Sequence, residues 1–417
     1  MKYIIPRGTR DLLPEQAAVF RKMEETAVRI SELYGYGELR TPIFEHTEVF
    51  ERGVGDTTDI VEKEMYSFTS KGDKSLTLRP EGTAPVVRSF VENKLYNGVL
   101  PAKYFYFGPM FRYERPQAGR YRQFWQFGIE LFGSAAPAAD VEVIVLALDF
   151  FRALGLEDVE LILNSIGCTS CRGAYREKLT QYLSEKELCE NCQGRLHRNP
   201  LRVLDCKNQA CAQQFTEVPL ISEHLCHDCR EHFTEVKAEL DELGVKYTLD
   251  GRLVRGLDYY NRTTFEFKSR HLGAQDAVGG GGRYDGLVEL LGGPATPAVG
   301  FALGFDRLAL LNPSALNKGT ERRGVWLASM PPVEAQARTW VYQLRSQGVY
   351  IESDLMGRSF KAQFKHADRG DFRYALVVGP SELESRQGIL KDLVSGSESA
   401  IALDQLTEVI PHLEGVK

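Results

Sequence analysis

Apolar positions along the chain recur at two spacings, one helical and one strand-like. Over residues 14–34, Val19, Met23, Ala27, Ile30 and Leu33 share one side of a 3.6-residue period, which predicts an amphipathic helix stopped by Gly35-Tyr-Gly37. Leu39–Phe44 then reads as extended, with Pro42 confining it to an edge or an interface. Short apolar or alternating runs follow at Met65–Phe68, Leu76–Arg79, Tyr104–Phe107, Phe124–Phe132 and Val159–Asn164, each with strand character. Asp140–Leu154 has helical spacing and separates the last two. Strands that follow one another in this way predict an antiparallel sheet with flanking helices, an α+β domain.

The pattern changes between about 168 and 235, where the chain is polar, helix-prone and punctuated, as an insertion would be. Strand-like patterning resumes at Arg252–Tyr260 and Thr263–Phe267. Leu311–Gly324 has linker composition. Beyond it, Val325–Ala328, Val349–Ser353 and Tyr374–Val378 alternate with helical segments, predicting a compact α/β domain. The expected organisation is therefore a first domain of 1–167 and 236–315 interrupted by an insertion at 168–235, then a linker at 316–324 and a second domain at 325–417. No internal repeat or low-complexity tract is visible.

A length of 417 residues agrees with two or three domains. Hydrophobic content of 43% and charged content of 26% are those of an ordinary globular enzyme. The formal net charge is −6, so any contact with nucleic acid must come from a local patch. Neither a secretory signal nor an apolar run of membrane-spanning length stands out, and a cytoplasmic protein without membrane contact is expected.

One such local patch exists. Arg112, Arg115, Arg120 and Arg122 lie close together, divided by Pro116-Gln-Ala-Gly119, whose composition is that of a turn. Aromatic, partly alternating arms flank them, so the segment predicts a hairpin with guanidinium groups on one face and at its tip. Arg112 and Glu114 are two residues apart and project from the same face of an extended chain. A cationic fork beside a carboxylate, bordered by aromatics, can hold phosphate and an exocyclic amine together. The competing reading is a solvated hairpin whose arginines pair with surface carboxylates.

All eight cysteines fall in the insertion, as Cys168-x2-Cys171, Cys189-x2-Cys192, Cys206-x4-Cys211 and Cys226-x2-Cys229. Disulfides are not expected in a reducing compartment. Pairs so spaced can present two thiolates to one tetrahedral ion, and four pairs could form two structural zinc sites of four thiolates each. Ordinary free cysteines, a mixed site using His197, His224, His227 or His232, and an iron–sulfur cluster are the alternatives. Spacing alone does not say how the pairs group.

There is no P-loop and no nucleophile elbow. Gly279-Gly-Gly-Gly-Arg-Tyr-Asp-Gly286 lacks dinucleotide-binding spacing. It reads either as backbone that lets a ligand approach, with Tyr284 reaching into the site, or as a flexible loop.

Taken together, several segments resemble a known family. Phe111-Arg112-Tyr-Glu114 followed by Phe124 resembles motif 2 of the class II aminoacyl-tRNA synthetases, Gly300-Phe-Ala-Leu-Gly-Phe-Asp-Arg307 their motif 3, and the segment around Arg40-Thr-Pro42 their motif 1. Within that class, Leu253-Val-Arg255-Gly-Leu-Asp-Tyr259-Tyr260, Thr77-Leu-Arg-Pro-Glu81-Gly-Thr83, Gly280-Gly-Gly-Arg-Tyr284 and Gln126-x3-Glu130 resemble the histidyl-tRNA synthetases. The likeness runs over almost the whole chain. It implies a class II antiparallel sheet with flanking helices, a helical insertion and a C-terminal α/β anticodon-binding domain.

The resemblance also implies roles. Arg112 and Arg255 would serve catalysis at the α-phosphate of ATP. Glu114 would accept from adenine, with Phe124 and Arg307 enclosing its ring. Glu81, Thr83, Gln126, Glu130, Tyr259, Tyr260 and Tyr284 would surround L-histidine. Arg115, Gln117, Arg120 and Arg122 would track the acceptor end of tRNA(His). Mg²⁺ would accompany ATP, and motif 1 implies a homodimer. The cysteine set departs from the family, many of whose members lack it, so zinc rests on spacing alone. Two other functions fit parts of the pattern: a catalytically silent regulator built on the same fold, and a zinc-dependent nucleic-acid-binding module fused to an unrelated enzyme. His46, His271 and His366 receive no role.

Overall fold

The computed structural model describes residues 3–55, 58–206, 208–215, 217–273, 276–311 and 322–416. Helix α1 (Pro14–Leu33) forms where the apolar spacing predicts it and buries Phe20, Met23, Ala27 and Ile30. Leu33 departs from the predicted stripe and is 72% exposed. The stripe continues instead at Tyr34, four residues after Ile30, whose hydroxyl donates to Asp149 at 2.6 Å. Two short strands, β1 (Gly37–Glu38) and β2 (Phe44–His46), replace the single extended segment read from Leu39–Phe44, with Pro42 between them.

After α2 (Thr47–Val54), strands β3 (Tyr66–Thr69) and β4 (Ser75–Leu78) join β2 in a three-stranded antiparallel sheet of order β2-β4-β3. Helix α3 (Thr83–Glu92) precedes the long hairpin of β5 (Ala102–Phe111) and β6 (Gln123–Phe132), paired from Ala102↔Phe132 to Phe111↔Gln123. Then come α4 (Pro137–Ala153) and β7 (Glu160–Ser165). The cysteine-rich segment follows as short helices, chiefly α5 (Thr169–Ser184), α6 (Glu190–Arg198) and α7 (Gln209–Ala212). Helix α8 (His227–Glu242) starts inside that segment but sends Phe233, Val236 and Leu240 into the core behind the main sheet.

The main sheet is completed by β8 (Tyr247–Leu249), β9 (Asn261–Lys268), β10 (Ala277–Arg283) and β11 (Ala298–Gly304), with α9 (Leu287–Leu290) and α10 (Phe305–Leu311) alongside. Its eight strands run β1-β5-β6-β11-β10-β9-β7-β8, antiparallel except where β1 meets β5 and β7 meets β8. Arg252–Tyr260, predicted as a strand, is irregular. Its backbone is engaged piecemeal: the Leu253 carbonyl accepts from Asn164 Nδ2 at 2.9 Å, and the Asp258 amide donates to Val54 at 3.1 Å. The alternation there serves a cavity wall rather than a pleat. Gly279–Gly282, by contrast, lies within β10, so the flexible-loop reading fails for these glycines.

The chain divides into two compact units, Met1–Leu316 and Asn317–Lys417, which leaves the cysteine-rich segment with the first. Most of the expected linker, 316–321, lies outside the described residues. The second unit has a five-stranded sheet, order β13-β12-β14-β15-β16, of β12 (Val325–Ser329), β13 (Ile351–Ser353), β14 (Tyr374–Val378), β15 (Gln387–Asp392) and β16 (Glu398–Ala402). The first three are parallel, as the alternation with helices Glu334–Ser346 and Phe360–Arg369 predicts. The antiparallel pair β15–β16 was not legible from the sequence. Among the described residues no helix is long and apolar enough to cross a membrane.

One buried ion pair joins several elements of the first unit. Arg283, at the end of β10, and Asp140, in the first turn of α4, are both fully buried and bonded to each other. Arg283 also donates to the carbonyls of Ser134 (2.8 Å) and Ala136 (3.2 Å), and His232 of α8 stands 3.3 Å from Asp140. Burial would raise the pKa of Asp140, but His232 and Arg283 outweigh it and hold the carboxyl below its ordinary value. The contribution of the pair is therefore present above the ordinary carboxylate range and lost as pH falls through the lowered value. Removing one partner strands the other in the core. Asp140→Ala is expected to destabilise the protein by about 3–5 kcal/mol, read as a shift of the urea midpoint.

Candidate functional site

On β6, Phe127, Ile129 and Leu131 enter the core, so Gln126 and Glu130 face the other way. The same parity on β11 buries Val299, Phe301 and Leu303 and leaves Gly300, Ala302 and Gly304 on the opposite face. That face carries a cavity of about 240 Å³. Gln126, Ala302, Gly304, Gly279 and Gly280 line it from the sheet, Glu81 and Thr83 from the start of α3, and Tyr259 and Tyr260 from the irregular 252–260 segment.

Glu130 is fully buried and takes the Tyr284 hydroxyl on Oε2. Gly300 is its cross-strand partner, and a Cβ there would collide with the carboxylate. Burial pushes the Glu130 carboxyl up to about 8; bonds from Tyr284 and Thr83 oppose the rise, and the Glu81 charge adds to it. Glu81 accepts from the amides of Thr83 (2.8 Å) and Ala84 (2.7 Å), which fixes it at the N-terminus of α3. Burial raises its pKa as well, against those two bonds. Tyr259 lies against Tyr260 and Tyr284, with ring centroids 4.6 and 5.6 Å away. Glu130 Oε1, Gln126 Oε1, the Tyr259 hydroxyl and Arg255 Nε are buried with no hydrogen-bond partner among the described residues. Four polar atoms left open around one small cavity mark a site for a polar ligand.

The other end of the cavity is cationic. Arg112 is anchored by its Nε to the Pro80 carbonyl at 2.7 Å, and its guanidinium stands 5.3 Å from the centre of the Phe124 ring. Glu114 lies between Arg112 (3.7 Å) and Arg120 (3.1 Å). Arg255 pairs with Glu266 at 2.7 Å. Burial opposes the charge of Arg255, but Glu266, then Tyr260 and Tyr259, together raise its pKa above the ordinary value. Gly280 permits this placement, since a Cβ there would come within 2.7 Å of Arg255 and 2.5 Å of the Phe265 carbonyl. Arg307 donates to the Ala277 carbonyl; burial, and then the charge of Arg120, lower its pKa.

Of the residues singled out in the sequence, Glu81, Thr83, Arg112, Glu114, Arg120, Phe124, Gln126, Arg255, Tyr259, Tyr260 and Arg307 all line this one cavity. Glu130 and Tyr284 stand behind it. The hairpin tip is a turn closed by mutual bonds between Gln117 and Arg120. Arg115 and Gln117 are exposed on it. Arg122 is held from below: its guanidinium donates to the carbonyls of Glu114 and Arg7 and lies 3.7 Å from the Tyr113 ring centre. An adjoining groove runs from Arg112, Glu114 and Arg120 past Asp59 and Glu64 to Arg195, Arg202 and Asp205 of the insertion.

The eight cysteines are free and form two groups, Cys168/Cys171/Cys226/Cys229 and Cys189/Cys192/Cys206/Cys211. Among the described residues no histidine joins either group, which removes the mixed Cys/His reading; His232 serves Asp140 instead. Two members of the site had escaped sequence reading. Glu266 is the lone acid between Phe265 and Phe267 of β9, and its alternation with core aromatics was the available signal. Tyr106 is buried beside Glu130 and Glu81, among aromatics that gave no sign of a polar role.

Comparison with known proteins shows the family. The family model described as Histidyl-tRNA synthetase matches residues 8–308, and one described as Anticodon binding domain matches 327–413. The histidine–tRNA ligase of Halothermothrix orenii is 51% identical, over 98% of this chain and 99% of that protein. The one from Moorella thermoacetica is 52% identical over 95% of each. The crystal structure of apo histidyl-tRNA synthetase from S. aureus, 37% identical, superposes with a TM-score of 0.83 over 98% of this chain and 100% of that one. A Bacillus halodurans protein described as an ATP phosphoribosyltransferase regulatory subunit/histidyl-tRNA synthetase shares the fold at 22% identity, with a TM-score of 0.66 over 91% of this chain and 99% of that one.

The raised Glu130 carboxyl has a measurable consequence. Native protein keeps this proton to about pH 8, whereas the unfolded chain releases it near 4.5. Stability of the ligand-free protein should therefore fall as pH rises across that window. Glu130→Gln should flatten the fall and gain stability relative to the parent at pH 8, as thermal unfolding at several pH values would show.

Proposed function

The chain belongs to the histidyl-tRNA synthetase family and is a histidine–tRNA ligase; from that premise we propose how its residues divide the reaction. Histidine is first activated with ATP to histidyl-adenylate and pyrophosphate, then transferred to the 3′ end of tRNA(His). The observation that supports this reading best is one cavity with open polar acceptors at one end and Arg112, Arg255 and Arg307 at the other.

In the first step the histidine carboxylate attacks the α-phosphorus of ATP, a P–O bond forms, and the bond to pyrophosphate breaks. The nucleophile is already anionic, so no general base is needed. Arg112 and Arg255 act by charge: each is fixed by a protein partner before substrate arrives, so little reorganisation accompanies the rise of negative charge at the α-phosphate. Glu114 accepts from the adenine amine, which requires it to give up part of its pairing with Arg112 and Arg120. Phe124 and Arg307 enclose the ring. Burial first, and then the neighbouring charge of Arg120, lower the pKa of Arg307, and an anionic nucleotide relieves the second of these. Mg²⁺ enters with ATP as part of the substrate, on its phosphate oxygens.

Histidine itself occupies the closed end. Glu130 Oε1 and Gln126 Oε1 accept N–H groups from the ligand, Glu81 and Thr83 complete the polar wall, and Tyr259, Tyr260 and Tyr284 supply hydroxyls and ring faces. A site that must hydrogen-bond its ligand rejects apolar isosteres strongly, because its buried acceptors would otherwise remain unpaired.

In the second step a hydroxyl of the terminal ribose attacks the adenylate carbonyl and AMP leaves. Arg115, Gln117 and Arg120 contact the acceptor end, and Arg122 contributes by holding the tip. The insertion braces the acceptor stem along the adjoining groove, and the C-terminal unit reads the anticodon. A homodimer accords with the motif 1 segment around Arg40 and with the exposed Ile43, Phe44 and Phe68. A cytoplasmic setting fits the tRNA substrate and the free thiols. A regulator would have no use for three cations around an α-phosphate position, which favours the enzyme.

Histidine-dependent ATP–pyrophosphate exchange tests the assignment. Glu130→Ala should raise the histidine requirement far more than the ATP requirement; an unchanged histidine dependence would sink the assignment of the closed end. Arg112→Ala should slow adenylate formation by about 10²–10³-fold, on the order of 3–4 kcal/mol of barrier, by analogy with loss of an oxyanion donor.

A further inference from the structure

The eight thiols take no part in that chemistry, and we propose that they form two zinc sites, nested one within the other along the chain. The outer site uses Cys168, Cys171, Cys226 and Cys229, and the inner site Cys189, Cys192, Cys206 and Cys211. Within each group all four sulfurs lie within 4.8 Å of one another. The separations Cys168–Cys171, Cys168–Cys226 and Cys189–Cys206 are 3.6, 3.9 and 3.8 Å. Four sulfurs at about 2.3 Å from a tetrahedral zinc ion stand about 3.8 Å apart. A disulfide would require about 2.05 Å. Sulfurs this close leave no room for several irons between them, which excludes the cluster reading.

The local backbone is arranged for thiolates. Cys168, Cys189 and Cys226 each occupy the N-cap of a helix of nine residues or more, α5, α6 and α8, and their partners Cys171, Cys192 and Cys229 sit in the first turn. Both sulfurs of each of these three pairs therefore lie at the positive end of a helix, which favours the deprotonated form. Amides add to this: Cys226 N donates to Cys171 Sγ at 3.1 Å and Asn208 N to Cys206 Sγ at 3.4 Å.

Packing says what the outer ion does. The hydrophobic cluster at that corner consists of the four cysteines and Leu225. With so little apolar surface at that corner, four coordinate bonds would be what ties the start of α5 to the start of α8 there. The inner ion joins α6 to the Cys206–Cys211 turn beside the groove. From this knuckle Arg195 and Arg202 reach Asp59 at 2.7 and 3.2 Å, in the segment that ends at Glu64, whose carbonyl accepts from Tyr113 of the arginine hairpin. Both ions are structural, since every position of each is filled by sulfur.

Metal analysis of the full-length protein, purified without chelator from zinc-supplemented medium, should find two zinc ions per chain. Cys226→Ser and Cys206→Ser, chosen because these cysteines are only half-buried, should each retain one. Titrating the parent protein with an organomercurial should release both ions as the eight thiols react, and cobalt substitution should give the thiolate charge-transfer bands of tetrahedral four-sulfur sites. Zinc at one ion per chain or none, iron in its place, or eight thiols reacting without zinc release would each overturn the proposal. These readouts are independent of histidine activation, so the two readings fail separately.

Discussion

On β6, Phe127, Ile129 and Leu131 have to lie in the core, and that requirement turns Gln126, Gly128 and Glu130 to the opposite face. Slipping the strand by one residue would expose three large apolar side chains and turn Gln126 and Glu130 into the apolar core in their place. The same constraint operates on β9 and β11, where Phe265 and Phe267, and Val299, Phe301 and Leu303, hold the pleat. Apolar burial behind the sheet thus sets the register of every sheet residue in the cavity. Where those groups need space, the neighbouring strand supplies glycine: Gly300 opposite Glu130, and Gly280 beneath Arg255.

Charge is handled differently at the two ends of the first unit. At the back, Arg283 and Asp140 are satisfied by each other and by fixed carbonyls, which ties β10 to α4 and brings α8 against them through His232. At the front, the site keeps polar atoms open on Glu130, Gln126, Tyr259 and Arg255. Leaving buried groups unpaired is costly, and a polar ligand that satisfies them recovers that cost.

Much of the first unit was legible because its signals are local. Helix α1, the hairpin arms, the turn at Pro116–Gly119 and the short parallel strands of the second unit follow from periodicity and turn chemistry within a few residues. Arg252–Tyr260 was misread for the same reason. Its alternation of apolar and charged residues is shared by a strand and by a loop that wraps a cavity, and only the partners of its carbonyls and amides distinguish them. Leu33 fits a helical stripe on paper, but the helix drifts past it to Tyr34. Glu266 and Tyr106 were missed because their roles depend on neighbours distant in sequence.

The sequence by itself determined the chemistry carried by each segment: a fork of arginines beside a carboxylate, cysteines paired at metal-ligand spacing, and a run of glycines that can let backbone approach a ligand. These follow from residue type and short spacing, which survive in any extended or helical backbone. Tertiary structure decided which of them meet. Tyr284 reaches Glu130, Arg255 finds Glu266, and Cys168 lies beside Cys226 rather than Cys189. Such pairings depend on loop closure and on the register imposed by a buried sheet face, and neither is written in the spacing of the residues concerned.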